Sequence, residues 1–197
     1  MATEHDGPGG AWPGGAEIPA DLLLAKQQVY DPAGLSCSRP VAEPESAEYA
    51  ACAFTLDGLR VRFRVAKTTP KKAGQFVTVW KRSGSGPIQP FDAADPVDLF
   101  VVSAREGSHF GQFVFPRDVL VERGVVSRGG AGGKRGFRVY PPWAVTVARQ
   151  ARGSQAWQVE HFLHVPAEGP VDTVRARALH LRGDRSGSEK HRDGAPA

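Results

Sequence analysis

The sequence predicts an α/β (α+β) fold, a single domain whose central mixed β-sheet contains an N-terminal β-hairpin and is flanked by helices. Three observations carry this. Residues 59–65 (LRVRFRV) alternate apolar residues with arginine without interruption, the period-two pattern of a half-buried strand. Residues 99–103 (LFVVS) form a short continuous apolar run, as expected of a central strand covered on both faces. Helical stretches stand before and after these strands, at 18–30 and 145–163.

Taken in order, residues 1–17 are rich in Gly and Pro and are expected as a disordered tail, with Trp12 exposed in it. Residues 18–30 read as a helix that Asp31-Pro32-Ala33-Gly34 stops. Residues 39–46 are a Pro-containing loop that carries Glu43 and Glu45. Residues 48–56 and 59–65 flank Asp57-Gly58, among the strongest short-range hairpin signals. A two-residue turn there sets Leu56 against Leu59, Phe54 against Val61 and Cys52 against Phe63, so that all these residues share one face. The other face sets Arg60, Arg62 and Arg64 beside Thr55, Ala53 and Ala51, with no carboxylate opposite, while Glu48 faces Lys67 at the far end. The guanidinium groups are therefore expected to be free. A polar loop (67–74) leads to a strand at 76–80, followed by a flexible turn at 83–87. After the acidic stretch FDAADPVD come the buried strand, a loop at 105–110, a strand at 112–115 and a short helix opened by Pro116 and closed by Gly124. A glycine-rich loop precedes a strand at 137–140, and residues 145–163 read as the last helix, weakened by Gly153. The globular part is expected over 18–166, with a second disordered tail over 167–197.

A chain of 197 residues is long enough to bury a sizeable core. Its two cysteines, Cys37 and Cys52, are expected as reduced thiols of a soluble, cytoplasmic protein. No apolar run approaches the ~20 residues of a membrane span. Net charge is +4, but its distribution says more. Residues 58–91 hold eight Lys or Arg and no acid, and residues 123–159 hold seven and no acid. Surfaces without a polyanionic partner usually intersperse both signs.

Five motifs follow one another in order: FRVAKTTPKKAGQFVTVWKR (63–82), GPIQPFDAADPVDLFVV (86–102), GQFVFP (111–116), GKRGFRVYPPW (133–143) and QARGSQAWQ (150–158). With them the chain resembles the MepB family of small bacterial proteins, over residues 22–163. The family is named for a gene product that accompanies a multidrug efflux pump and its repressor, and it has no settled enzymatic role. The resemblance implies an α/β domain similar to pieces of DNA-processing proteins, hence nucleic-acid binding. By motif match it implies Arg64, Lys67, Lys71, Lys81, Arg82, Lys134, Arg135, Arg138 and Trp143 as contact residues. Arg60, Arg62 and Lys72 join them from the strand and loop pattern alone.

The expected function is therefore nucleic-acid binding, to DNA ahead of RNA, through phosphate contacts with low sequence specificity and without a cofactor. Trp80, Phe137, Tyr140, Trp143 and Trp157 lie among the basic residues; most of them are expected to fill the core. Two alternatives have a basis in the residues. Asp98 with Asp92, Asp95 or Glu48 could hold Mg²⁺ in a nuclease-like site. The aspartates could equally cap turns around Pro96. A positive face could also dock an acidic protein regulator. GGAGGK (129–134) lacks the Ser or Thr and the following helix of a phosphate-binding loop. His161 and His164 lack a companion carboxylate or Cys pair for zinc.

Overall fold

The computed structural model describes residue 12, residues 18–82 and residues 85–181. Helix α1 (Ala20–Ala25) continues into a π-helical turn, Lys26–Tyr30, and together they supply the predicted first helix. Trp12 is buried beside it with the Lys26 ammonium 5.4 Å from its ring, so the expectation of an exposed Trp12 is corrected. Strand β1 (Val41–Ala42) pairs with β2 (Cys52–Leu56), and β2 pairs with β3 (Leu59–Val65) in the predicted register. Asp57 and Gly58 have φ of 47° and 82°, the left-handed pair that a two-residue primed turn requires. The hairpin is shorter than predicted at its open end. Residues Ala47–Tyr49 form a 3₁₀ turn between the left-handed Ser46 and Ala50, which leaves Glu48 exposed there.

The predicted basic loop is itself a hairpin, β4 (Lys67–Thr69) with β5 (Lys72–Thr78). Strand β6 (Trp80–Arg82) pairs with β7 (Ile88–Pro90). Strands β8 (Leu99–Glu106) and β9 (His109–Pro116) extend through most of the predicted loop at 105–110, and α2 (Arg117–Glu122) follows Pro116 as expected. Strand β10 (Gly136–Val139) pairs with β5. The last predicted helix is cut short: α3 (Arg149–Gln158) ends in a 3₁₀ turn, and β11 (Phe162–His164) then pairs with β9. Residues Phe162 and Leu163 thus belong to the sheet. The predicted C-terminal tail contains helix α4 (Thr173–His180), capped by the Asp172 carboxylate, which accepts from the Arg175 backbone N–H at 2.8 Å. The rest of the predicted tails, 1–11, 13–17 and 182–197, lies outside the described residues, as do residues 83–84 of the predicted flexible turn.

The main sheet runs β1-β2-β3-β8-β9-β11 and is mixed, because β3 and β8 are parallel. Residues of β8 alternate between two cores. Leu99 and Val101 join Phe54, Val61 and Phe63 under α1 and α4. Phe100, Val102 and Ala104 face the opposite way, against Val77, Val139, Phe137 and Leu120 from the small sheet β10-β5-β4 and its neighbouring segments. Each face therefore has its own cover, and β8 is buried along six of its eight residues, which explains its continuous apolar run. Burying a side chain such as Leu22, fully enclosed on the α1 side, stabilises by about 2 kcal/mol. No helix among the described residues is long and apolar enough to cross a membrane.

Candidate nucleic-acid interface

The arginine row of β3 is not free. Glu43, just past β1, donates its backbone N–H to the Ala51 carbonyl at 2.9 Å, which places its side chain one strand from Arg64. Its two carboxylate oxygens accept from Arg62 Nη1 at 2.7 Å and Arg64 Nη1 at 2.6 Å. Arg64 is 2% exposed and also donates to the Phe63 carbonyl. Arg60 forms a two-pronged pair with Asp98, at 2.8 and 2.9 Å. The small neighbours on β2 do not liberate these arginines. Ala51 and Ala53 are short enough for a carboxylate from the next strand to reach across.

Lys81 is paired with Asp95, and Arg82 donates to the Gly86 carbonyl at 2.8 Å beside the Trp80 ring. Lys67 stands 4.9 Å from the Tyr49 ring, and Lys71 is exposed at the β4–β5 turn. Trp143 stacks on His109 with centroids 5.0 Å apart and meets Phe162 edge-on. Of these positions Lys81 and Arg82 share a recess of about 210 Å³ with Arg62, but Glu43, Glu45 and Asp95 line it too, so it is not an acid-free surface.

The aspartates are also engaged. Asp92 accepts from Ser127 Oγ at 2.7 Å and from the backbone N–H groups of Gly130 and Ala94 at 2.9 and 3.0 Å. These bonds, that from Gly130 foremost, pull its pKa down to about 2. It thereby anchors the glycine-rich loop. Asp95 caps the same turn by accepting from the Asp92 N–H at 2.7 Å. Asp98 is held below the usual carboxylate range, first by the hydrogen bond from Arg60. Among the described residues no cluster of three or more His, Cys, Asp or Glu could hold a metal ion. The turn-capping alternative accounts for Asp92 and Asp95, whereas Asp98 is taken up by the backbone N–H and guanidinium of Arg60.

A convergence of cations without acids lies elsewhere. A groove of about 410 Å³ opens between β10, β5 and α3, and Lys72, Arg123, Lys134 and Arg138 line it without any Asp or Glu. Among the described residues none of the four is ion-paired with a carboxylate. They come from four parts of the chain. Lys72 opens β5, Arg123 ends α2 and Lys134 leaves the glycine-rich loop, where its N–H donates to the Val125 carbonyl at 2.8 Å. Arg138 sits mid-strand on β10, its guanidinium donating to Thr69 Oγ1 at 2.5 Å and to the carbonyls of Ala73 and Gly74 at 3.2 and 3.3 Å. Arg135 is exposed next to Lys134.

The groove walls are tied together by one side chain. Gln158 on α3 donates Nε2 to the Arg138 carbonyl at 2.9 Å, and its Oε1 accepts from the Tyr140 N–H at 2.7 Å. It thus satisfies the outer edge of β10 as a neighbouring strand would, and it is 1% exposed. Arg123 lies over the Trp157 ring at 5.0 Å, and that ring packs on Phe115 behind it. Tyr140 rests on Gly74, where an added Cβ would meet the ring at 2.5 Å.

The sequence had named Lys72, Lys134, Arg135 and Arg138. It missed Arg123, whose only signal was membership of the second acid-free window, and the polar pair Gln150 and Ser154 on the α3 wall, whose signal was their place in the motif QARGSQAWQ. A larger recess of about 570 Å³ lies over the hairpin, but it is lined chiefly by Val41, Ala53, Phe54, Val61 and Pro96, and its Arg60 and Arg62 are already paired.

A family model described as MepB-like matches residues 43–164. Among solved structures, a crystal structure of MepB superimposes with a TM-score of 0.64 at 32% identity, over 67% of this chain and 89% of that one. No curated protein matches the chain. The matched segment starts at Glu43 and includes every residue lining the groove.

Proposed function

The chain belongs to the MepB-like family, and from that premise we propose that it binds nucleic acid, DNA ahead of RNA, through its phosphate backbone. The carrying observation is the groove, with four cations from separate segments and no acid in its lining. Lysine and arginine gathered this way displace condensed counterions from a polyanion, the main source of affinity for a nucleic-acid backbone. Arg138, braced by three oxygen acceptors, is pre-set to present its remaining N–H groups. Lys72 and Lys134 add mobile point charges. Phosphate contacts of this type position a strand and carry little sequence information, so sequence preference is low. The activity is read as cytoplasmic, a reading supported by two buried, unpaired thiols.

Titration of a fluorescent mixed-sequence oligonucleotide at increasing salt tests the proposal. Affinity is expected to fall steeply with salt, and the double variant Lys72→Glu, Lys134→Glu should weaken it at least ten-fold. Salt-independent binding, or binding indifferent to that variant, overturns the groove assignment. Heparin competing as well as the oligonucleotide, together with specific capture of an acidic protein, would favour a protein-docking face instead.

A further inference from the structure

Resting on the phosphate-binding reading of the groove, we infer that its ligand is an unpaired polynucleotide strand, whose base enters the recess and lies against Tyr140. Three features point this way. The cations sit in the walls and floor of a concave space, not along a ridge. A duplex displays its phosphates on a convex surface and keeps its bases stacked inside, so it could touch only the rim. An unpaired strand can turn a base inward while its backbone follows the lysines. The volume, about 410 Å³, falls in the range of small-ligand pockets, roughly 300–1,000 Å³.

Second, the groove mixes its charges with aromatic surface. Tyr140 is half-buried in the lining and its ring edge packs against Gly74, where any Cβ would collide with it at 2.5 Å. The hydrogen bond from the Tyr140 N–H to Gln158 fixes its backbone as well. The ring therefore needs no reordering to accept a base. Trp157 cannot serve in the same way, because Arg123 and Phe115 already lie against it. Its role is to orient Arg123, whose guanidinium can flank the base or meet its phosphate.

Third, the α3 wall presents neutral hydrogen-bonding groups. Gln150, Ser154 and Trp157 recur at i, i+4 and i+7 and so share one face of the helix. An amide and a hydroxyl can bond the edge of any base by rotating, which suits a strand read without strong sequence preference.

The test compares a short oligothymidylate, an oligouridylate and a mixed-sequence duplex with the same number of phosphates, by fluorescence anisotropy at fixed salt. The unpaired strands should bind the full chain at least about ten-fold more tightly than the duplex. Tyr140→Ala should remove most of that margin by weakening the unpaired strands far more than the duplex, and Tyr140→Phe should retain it. A duplex that binds as tightly as the unpaired strands overturns the inference, even if Tyr140→Ala cannot be folded. In that case weakening of both ligands by Lys72→Glu with Lys134→Glu would still uphold the phosphate-binding reading. If neither ligand binds, or that double variant changes nothing, the underlying reading falls with it. The ratio of oligothymidylate to oligouridylate affinity tells whether the sugar is sensed.

Discussion

Glu43 reaches over Ala51 to hold the buried guanidinium of Arg64 at 2.6 Å, and with its second oxygen it takes Arg62 at 2.7 Å. One carboxylate thus engages two of the three arginines in a basic row that looks, in the sequence, like a binding surface. Removing the carboxylate leaves a charge with 2% exposure uncompensated. Glu43→Ala is expected to destabilise the fold by about 3 kcal/mol, the scale for breaking a buried pair. Urea unfolding followed by circular dichroism checks this. Asp98→Ala, which releases an Arg60 that is 51% exposed, should cost less, about 1 kcal/mol plus the loss of a strand-end hydrogen bond.

The same pairing predicts which basic residues do not bind. Arg60→Gln and Arg62→Gln should leave oligonucleotide affinity within about two-fold of the parent protein, since their charges are met internally. Lys72→Gln and Lys134→Gln should each lower the slope of log K against log salt by about 1, the contribution of one phosphate contact. Anisotropy titrations over a salt series separate the two groups. Equal effects from both would return the interface to the hairpin strand.

Why the hairpin was legible and its electrostatics were not is a matter of range. Asp57-Gly58 and the alternation on either side are local signals, and they specified the pairing of Leu56 with Leu59 and Phe54 with Val61. Ion pairs act across space. Glu43 precedes Arg62 by 19 residues and Asp98 follows Arg60 by 38, so a window without acids along the chain did not mean a surface without them. The groove was half legible, because three of its four cations fell in predicted loops or strands but their convergence depends on β10 pairing with β5. Helix α4 (TVRARALH) reads as tail in the sequence because only Ala176, Leu179 and His180 face the core, too few for a visible stripe. β11 was absorbed into the preceding helix because no Gly or Pro separates Gln158 from Phe162.

Both cysteines should be chemically silent in the folded protein. Cys37 and Cys52 are 4% and 2% exposed, and burial pushes each thiol up to about 12. A thiol in that range carries almost no thiolate at neutral pH, and thiolate is the reactive form. A thiol-specific chromogenic reagent at pH 8 should label neither cysteine over minutes and both once urea is added. Rapid labelling of the native chain would contradict the burial described.

Acid should weaken the fold through His180. Its ring is fully enclosed, edge-on to Tyr30 at 5.3 Å, with Nδ1 2.7 Å from the Ala176 carbonyl and Nε2 without a partner. Desolvation is the main reason its pKa falls from 6.5 to about 4, and the bond to Ala176 and the charge of Asp57 oppose that only in part. The unfolded chain therefore binds a proton that the folded chain refuses between those two values. Stability from this group is fully present above pH 6.5 and is lost progressively as pH falls toward 4, by an amount on the order of 3 kcal/mol. Urea midpoints measured from pH 7.5 to 4.5 should decline over that window, and His180→Phe should flatten that part of the decline. A variant profile parallel to that of the parent protein would show that α4 docks without excluding the proton.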